Sequence, residues 1–295
     1  MKLKLDHVIA PLFVLIWSTG FIIARLAMPY VEPATFLFWR FAGVIMAMIA
    51  LSLVWKINWP TRSQIKHIAI AGLMLQFGYL IGVWWAVRLG MTAGLVAIIV
   101  GLQPILTAWF AAWVSEKVTP RQWLGLGFGF MGVALVVAEK LGFAHIPLGS
   151  YVLAFGALLS ITFGTLYQKK FCPVFDLRAG SSIQFGVSAV VCFACMYFFE
   201  SGVMIWNMPV ITALLWAIFP LSIGSISLLF MMIRKGAATK VTSLLYLTPP
   251  TTAVMAWILF NEPFTLMMGI GLGLTMTGVV LVNARQSNTL ATIPE

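Results

Sequence analysis

Hydrophobic residues in this chain run in long unbroken blocks, and the charged residues, prolines and many glycines fall in the short segments between them. Blocks of roughly 20 apolar residues match what an α-helix needs to cross the hydrocarbon layer of a bilayer. Read against its polar punctuation, the pattern predicts helices over 8–27, 34–55, 66–87, 92–114 and 121–139. A second five follow over 148–170, 180–199, 210–233, 238–260 and 265–284. The expected fold is an all-α integral membrane protein with ten transmembrane helices. Composition points the same way: 61% of the 295 residues are hydrophobic and 9% are charged, against roughly 25% charged in a soluble domain. The start of the chain, with Lys2 and Lys4 before an apolar run, resembles a signal peptide. The run continues toward Ala27 without a small-residue cleavage site, so it reads as a retained first helix.

The lysines and arginines set the expected orientation, because loops rich in them stay cytoplasmic during insertion. With a cytoplasmic N-terminus, fourteen of them fall inside and only Arg88 and Lys140 outside, while Arg25 and Arg40 lie within apolar runs. This places both termini in the cytoplasm of a multi-pass plasma (inner) membrane protein. It also gives the net charge of +10 a topological meaning; no basic patch of the kind that binds nucleic acid is expected.

A shift of 146 residues aligns the chain with itself without a gap: Gly78 meets Gly224, Arg88 meets Arg234, Pro104 meets Pro250, Glu116 meets Glu262 and Gly132 meets Gly278. The chain reads as a duplication, with one repeat over 8–140, a second over 148–285 and a cytoplasmic polar tail over 286–295. Five helices per repeat is an odd number, so the second repeat would enter the membrane from the opposite side. Inverted repeats of this kind suit carriers, which exchange two conformations around a midplane site.

WSTGF at 17–21, PATFLFWRF at 33–41 and the matched segments SEKVTPRQWLG and NEPFTLMMGIG are similar to the EamA-type branch of the drug/metabolite transporter superfamily. The resemblance covers about residues 10–285. It implies export of amino acids, related metabolites or drugs through a central cavity shared by both halves. One departure is ITFGTLYQKK, where Ile161 and Thr162 stand in place of the Trp-Ser of the first half.

Candidate site residues come from breaks and polar groups inside apolar runs. Pro104 and the pair Pro249 and Pro250 fall at matching points of the fourth and ninth predicted helices. Proline removes a backbone donor and kinks or interrupts a helix, and paired interruptions in two repeats point to a transporter site, although packing kinks are the alternative. Trp17, Ser18, Gln76, Tyr79, Gln103, Gln184, Ser243, Tyr246 and Thr248 add polar groups near mid-membrane, either lining a cavity or bonding helix to helix. Arg40 lies about seven residues into the second predicted helix, deep enough to need a cavity or a partner, so it is expected either to pair with Glu32 or to bind a substrate anion. The acids and histidines all fall at helix ends or in loops, so no intramembrane proton relay, metal site or catalytic dyad is expected. No cofactor is expected either. Cys192 and Cys195 read as packing residues.

The glycines of 125–132 and 269–278 predict close helix packing, with a homodimer surface as the alternative. Trp55, Trp59, Trp84 and Trp85 are expected in the interfacial belt. The expected partners are a small-molecule solute and the lipid bilayer. The expected function is a transporter, most readily an exporter, of small organic metabolites; a membrane-embedded enzyme, or a channel or scaffold, is the alternative.

Overall fold

The computed structural model describes residues 2–54, 59–91, 96, 99–138, 146–172, 175–235, 238–260 and 265–283. Helix α1 is Lys2–Ala27 and α2 is Pro33–Val54. Helix α3 (Arg62–Gly72) passes through a π-helical wide turn, Leu73–Gly78, into α4 (Tyr79–Arg88). Next come α5 (Gln103–Trp109), a 3-10 turn (Ala111–Val114) and α6 (Pro120–Ala138). The rest holds α7 (Leu148–Phe171), α8 (Leu177–Phe199) and α9 (Met208–Trp216), the last leading through a second wide turn, Ala217–Ser225, into α10 (Ile226–Lys235). Helix α11 (Ala238–Ser243) is joined by a 3-10 turn, Leu244–Leu247, to α12 (Thr248–Phe260), and α13 is Leu266–Asn283. Much of the predicted helix over 92–114 begins in residues outside those described.

Helix starts follow local chemistry. Thr61 and Gln64 form a reciprocal capping box at α3, and Asp176 and Asn207 accept backbone N–H groups at the starts of α8 and α9; each satisfies a donor that the first turn leaves free. Among the described residues, five segments are long and apolar enough to cross a bilayer: Pro33–Ala50, Arg62–Arg88, Leu148–Phe171, Arg178–Phe199 and Met208–Leu229. Shorter apolar helices cover Ile9–Ala24 and Gly269–Val282. Large apolar side chains cover the outside, among them Val190, Tyr197, Phe198, Leu148 and Leu259, as expected where the solvent is hydrocarbon.

Two apolar clusters form the interior. The larger joins α1, α2, α3, α4, α7, α8 and the α9 region through Phe13, Phe36, Phe41, Ile68, Leu158, Phe185 and Leu221. The smaller holds Ala108, Leu126, Val133, Tyr246, Val279 and Val282, from α5, α6, the 3-10 turn before α12 and α13. The helix pairing respects the 146-residue shift. Helix α2 packs on α8 and α6 on α13; α7 on the first wide turn has its counterpart in α1 on the second, and α5 on α7 in α1 on α12. Trp84, expected in the interfacial belt, is 6% exposed and stacks on Phe36 at 5.1 Å. It lies on the face of α4 that meets the bundle, and Trp59 is 64% exposed.

The α6–α13 contact is backbone against backbone. A Cβ on Gly125 would lie 2.7 Å from the Gly278 carbonyl oxygen, and one on Gly132 would lie 2.5 Å from that of Gly271. These glycines are engaged within the chain, whereas Gly127 and Gly273 face open space. At one end of the bundle, the segments after α1 and α8 exchange carboxylates. Glu200 accepts the Ala34 and Thr35 N–H groups at 2.7 and 2.8 Å, at the positive start of α2. Glu32 accepts the Ser201 N–H at 2.6 Å, the Ser201 hydroxyl at 2.7 Å and Arg88 at 2.6 Å. Partial burial works against the Glu32 charge, but the Ser201 hydroxyl and N–H, with Arg88, outweigh it and hold its pKa below the ordinary 4.5.

Two outcomes follow. Gly278→Ala places a methyl 2.5 Å from the Gly125 carbonyl oxygen and the Gly129 nitrogen, so it is expected to destabilise by about 1–3 kcal/mol in reversible unfolding in detergent micelles. Gly273→Ala, facing open space, is the control expected to change stability little; equal effects would contradict the packing. A depressed carboxylate contributes stability that is full above its unfolded value and is lost as pH falls through its folded value. Hydrogen-exchange protection of the Ser201 amide is therefore expected to hold above the ordinary glutamate value of 4.5 and to fade below it. In Glu32→Gln that protection should be weaker above that value and lose its pH dependence.

Candidate functional site

The two wide turns are matched: shifting Leu73–Gly78 by 146 residues places it within Ala217–Ser225. A π-type turn widens the helix and frees carbonyls that the α-helical ladder would use, and such turns concentrate at functional sites. In hydrocarbon a freed carbonyl needs a donor from within the protein. The Ser188 hydroxyl donates to the Gly72 carbonyl at 3.2 Å, at the entrance of the first turn, and the Ser160 hydroxyl donates to Met74 at 2.8 Å. Both serines come from the second half of the chain. In the second turn Pro220 lacks an N–H, and the Ser222 hydroxyl donates to the Ala217 carbonyl at 2.7 Å. Arg40 Nε, from α2 in the first half, donates to Ser222 Oγ at 2.8 Å. Each wide turn is thus held by a side chain from the opposite half. Gly72 permits this approach, since a Cβ there would fall 2.5 Å from the Gln184 Cα.

The proline breaks are also matched. Helix α5 starts at Gln103 with Pro104 in its first turn, and α12 starts at Thr248 with Pro249 and Pro250 behind a 3-10 turn. At both breaks a polar contact crosses between halves. Gln103 Nε2 donates to Thr165 Oγ1 of α7 at 3.3 Å. Ser18 Oγ of α1 reaches the Thr248 carbonyl at 3.4 Å, and Thr252 Oγ1 donates to the Ser18 carbonyl at 3.1 Å.

The remaining sequence-predicted residues divide by place. Gln184 Nε2 donates to Gln168 Oε1 at 3.0 Å, and Gln76 and Tyr79 are 3% and 6% exposed in and just after the first wide turn. Ser243 is buried at the end of α11, and Trp17 sits half-buried against Phe13 at 5.3 Å. Tyr246 belongs to the smaller apolar cluster, its ring lying over Gly129 of α6. Pro249 is described by its backbone, and the side chain of Arg25 lies outside the described residues. Glu32, a candidate partner for Arg40 from the sequence, is bound to Arg88 and Ser201 instead. The loop position of Glu32 favours those neighbours, and Arg40 is left with Tyr79 and Cys192 in its surroundings.

Among the described residues, five fully buried oxygens have no hydrogen-bond partner: Gln103 Oε1, Thr107 Oγ1, Gln184 Oε1, Tyr246 OH and Thr248 Oγ1. An unsatisfied buried polar group costs about 1–3 kcal/mol, so five of them call for a ligand or water. A buried arginine adds about 2.5–3.5 kcal/mol on insertion scales. Such an arrangement can bind a solute by hydrogen bonds and one positive charge; among the described residues no nucleophile–base pair accompanies it.

At the opposite end from the Glu32 clasp, His67 Nδ1 lies 2.6 Å from the Tyr167 hydroxyl, and its ring stacks on Phe171 at 5.1 Å. Trp113 approaches Phe171 at 6.2 Å, with Lys170 Nζ 4.9 Å from the Trp113 ring centre. This cluster ties the start of α3 and the 3-10 turn after α5 to the end of α7. Sequence reasoning missed it, as it missed Thr107, Thr165 and Gln168. Only the aromatic enrichment near 163–171 was available as a signal.

The sequence pattern of the EamA-like transporter family matches residues 7–138 and again 148–284. An uncharacterised transporter of Bacillus subtilis strain 168, YvbV, is 29% identical over 92% of this chain and 89% of its own length. Proteins named probable amino-acid metabolite efflux pump are 24% identical in Salmonella typhimurium and 23% in Escherichia coli K12, each over 94% of both chains. A solved crystal structure of 18% identity shares the fold, with a TM-score of 0.79 over 94% of this chain and 96% of that one. With its whole apolar length accounted for by two such matches, this multi-pass membrane protein belongs to the EamA-like transporter family.

Proposed function

We propose that this transporter exports small organic metabolites, amino acids or related compounds, by alternating access of two inverted five-helix halves around the layer of wide turns and proline breaks. The observation that carries the reading is the pair of wide turns, each held by a side chain from the opposite half. If one half moves relative to the other, these are the contacts that exchange, and the unpartnered oxygens beside them are free to take a solute. The names of the Salmonella and Escherichia relatives support an amino-acid-related cargo.

The lysine and arginine distribution supports a cytoplasmic N-terminus and C-terminus in the plasma membrane. In that orientation the Glu32–Arg88–Ser201 clasp closes the outer end, and the His67–Tyr167–Phe171 cluster closes the cytoplasmic end. Transport then requires each end to open in turn. With two nearly equivalent halves, the two open states differ little in energy, which lets a solute gradient set the direction.

The test is counterflow of a radiolabelled pool of the twenty amino acids in proteoliposomes. Saturable counterflow is expected, with Gln103→Leu reducing it at least about tenfold, the scale of a lost charge-assisted or well-buried hydrogen bond. Thr107→Val is expected to leave unfolding stability within about 1 kcal/mol of wild type, because its hydroxyl has no partner to lose, while lowering transport. Flux without saturation or counterflow would make the protein a channel. Product formation in detergent, where no compartments exist, would make it an enzyme.

A further inference from the structure

We infer that Arg40 is the anion-recognition group of the transport site, so that the solute carries a carboxylate or an equivalent planar oxyanion; the inference rests on the transporter reading above. Arg40 lies in the layer of the two wide turns, 4% exposed, bonded through Nε to Ser222 of one turn and neighboured by Tyr79 directly after the other. Three described carboxylates are committed elsewhere. Glu32 is held by Arg88 and Ser201, Glu200 by the start of α2, and Asp176 by Arg178. Glu116 lies beyond the 3-10 turn, outside the apolar spans.

The guanidinium has five N–H donors in a fixed fork. The protein uses the one on Nε, and among the described residues no acceptor is bonded to the terminal nitrogens. That leaves the edge of the fork which matches a carboxylate with two parallel hydrogen bonds. Holding Ser222 in the wide turn needs a donor but not a charge, so a purely structural role would be met by a neutral amide. A charge that is buried, unneutralised and forked is accounted for by an anion that comes and goes. The unpartnered amide oxygens of Gln103 and Gln184 are neutral acceptors, suited to the ammonium of a zwitterion. No described acid in the spans offers a cationic solute a charged partner.

The experiment compares wild type, Arg40→Gln and Arg40→Lys in two readouts. In counterflow, each amino acid that moves is competed with itself, its carboxamide and its decarboxylated amine. The expected result is that wild type prefers the acid by at least about tenfold, that Arg40→Gln loses that preference, and that Arg40→Lys keeps part of it. In detergent without solute, Arg40→Gln is expected to unfold at or above the wild-type temperature, because removing an unneutralised buried charge relieves a cost. Sodium acetate, benzoate and succinate, at ionic strength matched with chloride, should raise the unfolding temperature of wild type and not of Arg40→Gln.

Lower apo stability of Arg40→Gln with unchanged acid preference would overturn the inference in favour of a structural arginine. Wild type that does not distinguish acid from amide, or that no carboxylate stabilises, would overturn it as well. If no member of the pool moves but a carboxylate stabilises wild type through Arg40, the amino-acid cargo fails and the anion site stands.

Discussion

The bilayer leaves no water to satisfy a backbone carbonyl, and this single constraint governs where the helices of this protein are allowed to depart from α-geometry. Both wide turns break the ladder near the centre of an apolar run, and both are repaired by polar side chains. Ser160 and Ser188 reach across from the second half to the first turn, and Arg40 reaches from the first half to Ser222 in the second. Irregular backbone at membrane depth is tolerated where it is enclosed by protein or lines a cavity. Here it is enclosed by the other half, so the integrity of each helix depends on contacts that a relative motion of the halves would rearrange.

The contacts between the two halves differ in strength from one helix pair to the next. The glycine-lined contact of α6 with α13 brings backbones together with no side chain between them, which suits a rigid support. The polar seams at Gln103–Thr165 and Ser18–Thr248 are thin by comparison, with contacts of 3.3 and 3.4 Å and unsatisfied oxygens beside them. Helix-to-helix hydrogen bonds within a membrane average only about 0.6 kcal/mol. Seams of that strength leave α5 free to part from α7, and α12 from α1, about the firmer contact of α6 with α13. The two ends are tied by different chemistry, a carboxylate clasp at one and stacked aromatic rings at the other. The clasp is held by charge, with the Glu32 pKa below its ordinary value.

Much of this was legible in the sequence, because the signals were periodic or repeated. Apolar blocks located the helices, with α7 expected over 148–170 and found as Leu148–Phe171. The shift of 146 residues located both proline breaks, and mid-run polarity selected Gln103, Gln184 and Ser18. The wide turns were not legible, since a π-turn costs one extra residue in an apolar run and leaves the letters unchanged; Pro220 was its one visible trace. The partners of charged groups were also hidden. Arg40 and Glu32 are eight residues apart on the chain, but a pairing depends on which loop folds over the end of the bundle, and the loop after α8 brought Ser201 to Glu32. Trp84 was misread because position along a helix gives membrane depth and says little about which face meets the core.

The central claim is that the two ends of the bundle open alternately about the seam, and distances between spin labels measure this most directly. One labelled pair at Leu89 and Val203 spans the clasped end, and a second at Ser63 and Lys170 spans the aromatic end; each pair takes one residue from each half, and all four positions are exposed. In proteoliposomes the account predicts two distance populations for each pair, with Glu32→Gln lengthening the first distance while shortening the second. Distances that stay single, or that lengthen together, would contradict it.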